Sequence, residues 1–420
     1  MQRTLTDNTI LQPGTHRAPD QAPRGSSRPS SWEVLLAFLR LGAVSFGGPA
    51  MVAYIKRLAV TRKGWLPVED FHQGVALCQA VPGATAMQCA AYVGLRVRGL
   101  RGAVLAYVGF GLPAFLLMLS LSIAYRYAVP LQPMTSIFAG LRALVVALVA
   151  NATWVFGRSS VKSFHEAMIC LATAALFFLG GSPFLILVAA GLGGSLLLRG
   201  PVRTPSRESP PQAIGWAALR PAALVLALGV VLVVTLSLLN QQLVRLGLVM
   251  MKVDVFAFGG GFAAVPLMFR EIVDVRNWLP ADVLMDGIAL GQLTPGPIVI
   301  TATFVGYQVA GLTGAIVGTV CIFLPSFFAV VLVEPWWERL RSSSRFQGAT
   351  QALVLSFVGL LASVTAQFAH LTPWNVPSAL LAALALTALL SKVDVLWVVL
   401  AGAVMSALIG GRLVPLGLVP

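Results

Sequence analysis

Charge is scarce in this 420-residue chain: Asp, Glu, Lys and Arg make up 10% of it, against 57% hydrophobic residues. Soluble globular domains carry about 25% charged residues. The composition therefore excludes the soluble class and points to a membrane protein. Acidic residues are scarcer still, with 15 Asp and Glu against 29 Lys and Arg, for a net charge of +14. On a soluble chain that excess would suggest a nucleic-acid partner. Here Lys and Arg sit in short clusters between apolar runs, which is a topology signal, and no nucleic acid is expected. Cysteine is almost absent. Cys78, Cys89, Cys170 and Cys321 lie singly in apolar segments without CxxC spacing, so they read as small packing residues and not as disulfide or metal ligands. Catalytic frameworks are missing as well. There is no HExxH, no GxSxG and no Walker loop, and His16, His72, His165 and His370 are scattered. The chain is not expected to be an enzyme or a nucleotide-driven pump, and no metal or cofactor is expected.

What the chain has in abundance is long apolar runs. Ala103–Ala124, Ala167–Leu179, Ala217–Leu239, Ala315–Val333 and Ala349–Phe368 recur along it, and about 20 such residues span a bilayer. The second run is short and could be tilted or end inside the fold. Residues 1–31 are instead rich in Pro, Ser, Thr, Arg and Gln, with no apolar core of the signal-peptide kind. They are expected to form a disordered cytoplasmic tail.

The chain also repeats itself. GVALCQAVPG (Gly74–Gly83) laid over GIALGQLTPG (Gly287–Gly296) gives six identities in ten at a shift of 213. At the same shift Trp65-Leu66-Pro67 falls on Trp278-Leu279-Pro280. At 212, Phe46-Gly47-Gly48 falls on Phe258-Gly259-Gly260, Gly99-Leu100 on Gly311-Leu312, and Leu112-Pro113 on Leu324-Pro325. This is an internal duplication.

Loop charge orients the two copies, because cytoplasmic loops collect Lys and Arg. Lys56–Asp70 carries net +2, and Arg96, Arg98 and Arg101 crowd the next loop, which places both in the cytoplasm. The counterpart Arg270–Asp286 carries net −2 and Gln308–Thr313 carries none, which places both on the other side. The repeat is thus expected to be inverted. Two positive loops flank Phe71–Leu95, which one crossing could not produce. A re-entrant hairpin broken at Pro82-Gly83 resolves the conflict, since Pro removes an amide donor and Gly frees the backbone. A single Pro-kinked spanning helix is the alternative. A similar break is expected at Phe46-Gly47-Gly48-Pro49.

The expected fold is therefore an all-α polytopic membrane protein of two inverted homologous repeats with broken or re-entrant helices. The first repeat covers 32–198, with simple spans near 102–125, 134–156, 165–180 and 183–198. A basic cytoplasmic linker (199–213) and one connecting span (214–247) lead to the second repeat (248–415), with spans near 314–333, 347–369, 376–391 and 394–411. The odd connecting span is what inverts the second copy. A homodimer is left open.

Irregular backbone at membrane depth must hide its freed polar groups in protein or water, so the breaks mark the expected pathway. Helices restarting after Gly48-Pro49, Gly83, Gly261 and Gly296-Pro297 present unpaired amides with partial positive charge, which attract anions. Close helix packing is the plainer role for such glycines, but here they recur in both copies beside Pro and Gln. The candidate substrate-binding residues are Gly47, Gly48, Gln79, Pro82, Gly83, Gly259, Gly260, Gln292, Thr294, Pro295, Gly296 and Pro297, with Thr85, Gln88 and Thr301 at similar depth. Gly296 in particular is expected to let substrate oxygens approach backbone amides that a side chain there would cover. Arg40 and Lys252 coincide at a shift of 212, and Arg57 and Arg270 at 213, as paired cations would in alternate gates. For Lys252 and Arg57, snorkelling to the headgroups explains the placement equally well. Arg142 lies inside an apolar span, where a charge is costly and marks a functional candidate. Asp254 and Asp286 are candidate proton-relay residues, and each could instead pair with a neighbouring cation, Asp254 with Lys252 or Arg270.

These motifs resemble the chromate ion transporter family in its long, two-domain form. The resemblance rests on FLRLGAVSFGGPA (Phe38–Ala50), WLPVEDF (Trp65–Phe71), ALCQAVPGATAMQCAAYVG (Ala76–Gly94), FAFGGGFAAVPLM (Phe256–Met268) and ALGQLTPGPIVITATFVGY (Ala289–Tyr307). With their flanks they cover roughly 33–415. The family's first motif usually reads Pro-Gly-Pro, but here Ala84 follows Gly83, while the second copy keeps Pro295-Gly296-Pro297. The resemblance implies efflux of chromate across a bacterial cytoplasmic membrane, driven by membrane potential or an ion gradient. Sulfate shares chromate's charge and tetrahedral shape and stays open as a substrate. A membrane-embedded enzyme or receptor is the remaining alternative.

Overall fold

The computed structural model describes residues 29–47, 50–128, 132–198 and 240–409. In the first copy α1 (Ser31–Val44) starts at Ser30, whose hydroxyl accepts from the Glu33 amide, and stops at the Ser45–Gly47 break. α2 (Ala50–Lys56), prolonged by a π-helical turn over Arg57–Arg62, runs back beside it, so that Lys63 Nζ reaches Glu33 Oε1 at 2.8 Å. A second hairpin follows. α3 (Val68–Ala80) and the first arm of α4 (Thr85–Ala128) flank Pro82-Gly83 and face each other along their length. Gly74 backs onto the Tyr92 ring, Tyr92 Oη donates to the Asp70 carbonyl at 3.2 Å, and Arg96 pairs with Asp70 at 3.1 Å. Both ends of this segment therefore lie at one level. It is a re-entrant hairpin and not a kinked span.

α4 then reverses at Arg98-Gly99, where Gly99 has φ 62° and ψ −154°, a region only glycine adopts freely. The two arms touch so closely that a Cβ on Gly94 would strike the Gly102 carbonyl. The second arm runs to the opposite face, and α5 (Gln132–Ser160) returns. α6 (Phe164–Phe178) and α7 (Pro183–Leu197) close the copy.

The second copy reproduces this order. α8 (Gln241–Val255), a break, α9 (Ala264–Phe269) and a π-helical turn over Arg270–Val275 match α1 and α2. α10 (Ala281–Gln292) and α11 (Thr301–Val333) match α3 and α4, with the same reversal at Ala310-Gly311. A short connection through α12 (Trp337–Ser342) leads to α13 (Ser344–Leu371), α14 (Val376–Leu390) and α15 (Val395–Ile409), the counterparts of α5, α6 and α7. The duplication reaches the dihedral angles: φ is 117° at both Gly83 and Gly296, and 62° and 63° at Gly99 and Gly311. It extends to the caps, since Ser163 and Asn375 each open a capping box at the start of α6 and α14.

The copies are related by a pseudo-twofold axis. Gly83 N donates to the Ala257 carbonyl at 2.9 Å, and the counterpart Gly296 N donates to the Ser45 carbonyl at 2.9 Å, so exchanging the copies exchanges the bonds. Thr153 and Thr365, counterparts at the 212 shift, meet each other at 3.1 Å near that axis. The axis also inverts the copies. Glu334, where the second arm of α11 ends, pairs with Arg96 at the base of the first hairpin at 3.2 Å. Tyr125, near the end of the α4 second arm, donates to Asp286 near the base of the second hairpin at 2.8 Å. Each long arm therefore joins one hairpin's base to the face of the other's, and the hairpins open to opposite faces.

Among the described residues, four helical stretches are long and apolar enough to cross a membrane: Thr85–Ala128, Met134–Ser160, Ile298–Ser342 and Ser344–Leu371. The short apolar helices α6, α7, α14 and α15 have 15 residues each. At 1.5 Å per residue that is about 22 Å, less than the ~30 Å hydrocarbon core, so α6, α7 and α14 fall short of the simple spans expected there, and the end of the span expected at 394–411 lies outside the described residues. Each pair returns the chain to the face it left, which leaves the parity of the crossings unchanged. The first copy ends at Leu198 beside Gly348, on the Arg96 face, and description resumes at Asn240 on the other, where Gln242 Nε2 donates to the Val309 carbonyl at 3.3 Å. The expected tail through residue 28, linker and most of the connecting span lie outside the described residues. α8 already belongs to the second copy from Gln241.

Candidate functional site

The four breaks converge because the axis brings each hairpin tip against the other copy's broken helix. Between them lies a cavity of about 720 Å³, which runs from the tips toward the face carrying Arg96. Of the residues singled out in the sequence, Gly47, Gln79, Gly259, Gly260, Gln292, Thr294, Gly296 and Pro297 line it, together with Thr85. Both copies thus contribute to one site. Pro82, Gly83 and Pro295 complete the tips without lining the cavity, and Gly48 lies outside the described residues.

The lining contains no carboxylate. Its cation is Lys56, whose Nζ donates to His72 Nε2 at 2.8 Å. Gln292 Nε2 is buried at the wall with no acceptor, and an unpaired buried donor is costly unless a ligand satisfies it. The amides of Gly259, Gly260 and Gly261 also make no backbone hydrogen bond. α4 restarts at Thr85, and a 3-10 turn at Ile298 leads into α11, so two sets of helix-start amides point from the tips. Phe71, Val75, Phe156 and Val354 form apolar walls. A cation, unsatisfied donors and a lining free of acids suit an anion, the nearest carboxylate being that of Asp394 against Gly47.

Several sequence expectations come out differently. Among the amides at the second tip, Gly296 N is spent on the Ser45 carbonyl and latches the tip, which leaves the approach expected there to its neighbours. Thr294 and Thr301 donate their hydroxyls to the Gly291 and Ile298 carbonyls, each at 2.8 Å. Gln88 Nε2 donates to the Pro82 carbonyl at 2.6 Å and so supports the break from behind. Arg40 lies apart, in a separate groove of about 600 Å³ with Arg57, Arg62 and Lys63. Lys252 is drawn away by Glu271 at 2.8 Å and lies over the Phe184 ring, while Arg270 pairs with Asp274. Neither cation of the Arg40 and Lys252 pair reaches the cavity.

Asp254 is fully buried and meets no cation. It accepts from Ser326 N at 2.7 Å and Ser326 Oγ at 2.6 Å, and Ser326 Oγ in turn accepts from the Ala84 amide at the first tip. Asp286 is held in two 2.7 Å bonds by Arg142, the intramembrane cation that stood out in the sequence. Lys56 and His72 were missed, because their counterparts at the 213 shift are Phe269 and Met285, so the repeat gave no signal. Ser159 and Ser160, at the end of α5, also line the cavity and carried no motif.

Comparison with known proteins decides the family. The chromate transporter family matches residues 32–195 and 244–407, two segments that begin 212 residues apart. The chain belongs to the chromate transporter family. It is a membrane transporter and not an enzyme. It is 41% identical over 386 residues to an uncharacterized transporter of Methanocaldococcus jannaschii, covering 91% of this chain and 95% of that one. It is 31% identical to the chromate transport protein of Cupriavidus metallidurans, over 85% of this chain and 87% of the relative. With the chromate transport protein of Pseudomonas aeruginosa the identity is 30%, over 86% and 87%. No solved structure matches the chain significantly.

Proposed function

We propose that this transporter exports chromate across the cytoplasmic membrane and thereby confers chromate resistance. The observation that carries the reading is the cavity between the broken helices, which holds Lys56 and the unpaired Gln292 donor and has no carboxylate in its lining. Relatives named as chromate transport proteins over most of their length support it. The cavity opens toward the Arg96, Arg98 and Arg101 face, which loop charge assigns to the cytoplasm, so substrate enters from inside. Membrane potential or an ion gradient supplies the energy. Asp254, surrounded by neutral donors, is the residue to take up a coupling proton, whereas Asp286 is committed to Arg142.

Sulfate is the second reading. An ammonium and an amide donor sense charge and oxygen placement, which chromate and sulfate share, and the M. jannaschii relative at 41% identity carries no substrate in its name. Uptake of labelled chromate and of labelled sulfate into inside-out vesicles separates the two. Chromate uptake that excess sulfate does not abolish supports the first reading, and uptake of sulfate alone would replace it. Orientation is checked with Ser342→Cys in the α12 segment, which should react with an impermeant thiol reagent only from the cytoplasmic side.

A further inference from the structure

Inverted copies built alike should pack alike, and in this molecule they do not do so throughout. α10 packs along α5, whereas the counterpart pair, α3 and α13, is held apart by the cavity. The cavity wall shows the same asymmetry residue by residue. Val75 and Val354 are half-buried at the cavity wall, while Ile288, the counterpart of Val75, is 1% exposed; Phe71 also lines the cavity but is as buried as its counterpart Leu284. The counterpart of Val354 is Arg142, and it closes the far side. Its guanidinium grips Asp286 through Nε and Nη2, each at 2.7 Å, and reaches Asp282 at 3.2 Å, while Tyr125 Oη adds a bond to Asp286 at 2.8 Å. The mirror position has no equivalent, because the residues that match Arg142, Asp286 and Asp282 are Val354, Gln73 and Glu69, which cannot form such a cation-carboxylate clasp.

We propose that the Arg142–Asp286 pair, braced by Tyr125 and Asp282, is the gate that closes the face opposite the cavity. Its opening lets α10 leave α5 as α3 has left α13, giving a mirror cavity with Arg142 in its wall. The transport cycle then exchanges the conformations of the two hairpins, and each state is the other with the copies swapped. In the second state Arg142, freed from Asp286, is the cation beside the substrate, in the place Val354 holds now. This rests on the chain's being a two-sided carrier, but not on which oxyanion it carries.

The labelling itself therefore uses no substrate. In a chain whose four cysteines are replaced by alanine and which still transports, Val75→Cys and Ile288→Cys are made separately. Each is labelled with an impermeant maleimide from either side of sealed vesicles, with and without Asp286→Asn. Breaking the gate should raise labelling of the Ile288→Cys site about tenfold from the face opposite Arg96, while labelling of the Val75→Cys site falls or holds. If the rate at position 288 does not move, or if both rates rise together as in a loosened fold, the gate assignment is overturned.

Discussion

At the scale of single residues, the anion preference proposed for the cavity rests on Lys56. Its Nζ is within 2.8 Å of His72 Nε2 and meets no carboxylate, so its remaining donors are free for substrate oxygens. A charge-assisted hydrogen bond contributes ~1.5–3 kcal/mol, which corresponds to roughly 10- to 100-fold in affinity. Lys56→Gln should raise the half-saturating chromate concentration by that factor, read from initial uptake rates in proteoliposomes. Lys56→Arg, which keeps the charge, should stay within a few-fold of the parent. An unchanged half-saturation in Lys56→Gln would remove Lys56 from the site. Gln292 was legible in the sequence because Gln79 repeats it beside a second Pro-Gly. Lys56 was not, since a polar residue present in one copy only looks like any other member of a cytoplasmic charge cluster.

At the scale of elements, glycines do two separable jobs in the helical hairpins. Gly99 sits at φ 62°, and a Cβ added there would meet nothing within 4 Å, so its requirement is conformational. Gly306 is an ordinary helical position, but a Cβ there would run into the Gly314 carbonyl of the facing arm. Gly99→Ala should cost about 1–3 kcal/mol of backbone strain. Gly306→Ala should cost more, because two backbones must separate and no flexible side chain can yield. Thermal unfolding in detergent should rank Gly306→Ala below Gly99→Ala, and the reverse order would mean that the arms are not in contact. The hairpins themselves could be read from sequence, since Pro-Gly breaks and two positive flanks admit few other folds. The 15-residue lengths of α6, α7, α14 and α15 could not. Apolar residues continue past their caps, and it is Ser163 and Asn375 that start α6 and α14 and the turns at Gly180 and Lys392 that end them.

At the scale of the whole molecule, the inversion was visible in loop charge, because it is a property of each copy taken alone. The difference in state between the copies was not, because it depends on residues brought together by packing, such as Arg142 and Asp286 at a separation of 144. That difference divides the molecule into parts. The hairpins α3 with the first arm of α4, and α10 with the first arm of α11, differ in how they meet α13 and α5, while α5 and α13 pack on each other at the axis, where Thr153 meets Thr365. If the hairpins move and this pair stays fixed, joining α5 to α13 should not impede transport. Oγ1 atoms 3.1 Å apart put the two side chains in direct contact, the condition for a bridge between them. The double variant Thr153→Cys with Thr365→Cys should therefore oxidise to a disulfide within one chain and carry chromate at close to the rate of its reduced form. If oxidation stopped uptake and reductant restored it, α5 and α13 would themselves have to move against each other, and the division into a fixed axis pair and mobile hairpins would fail.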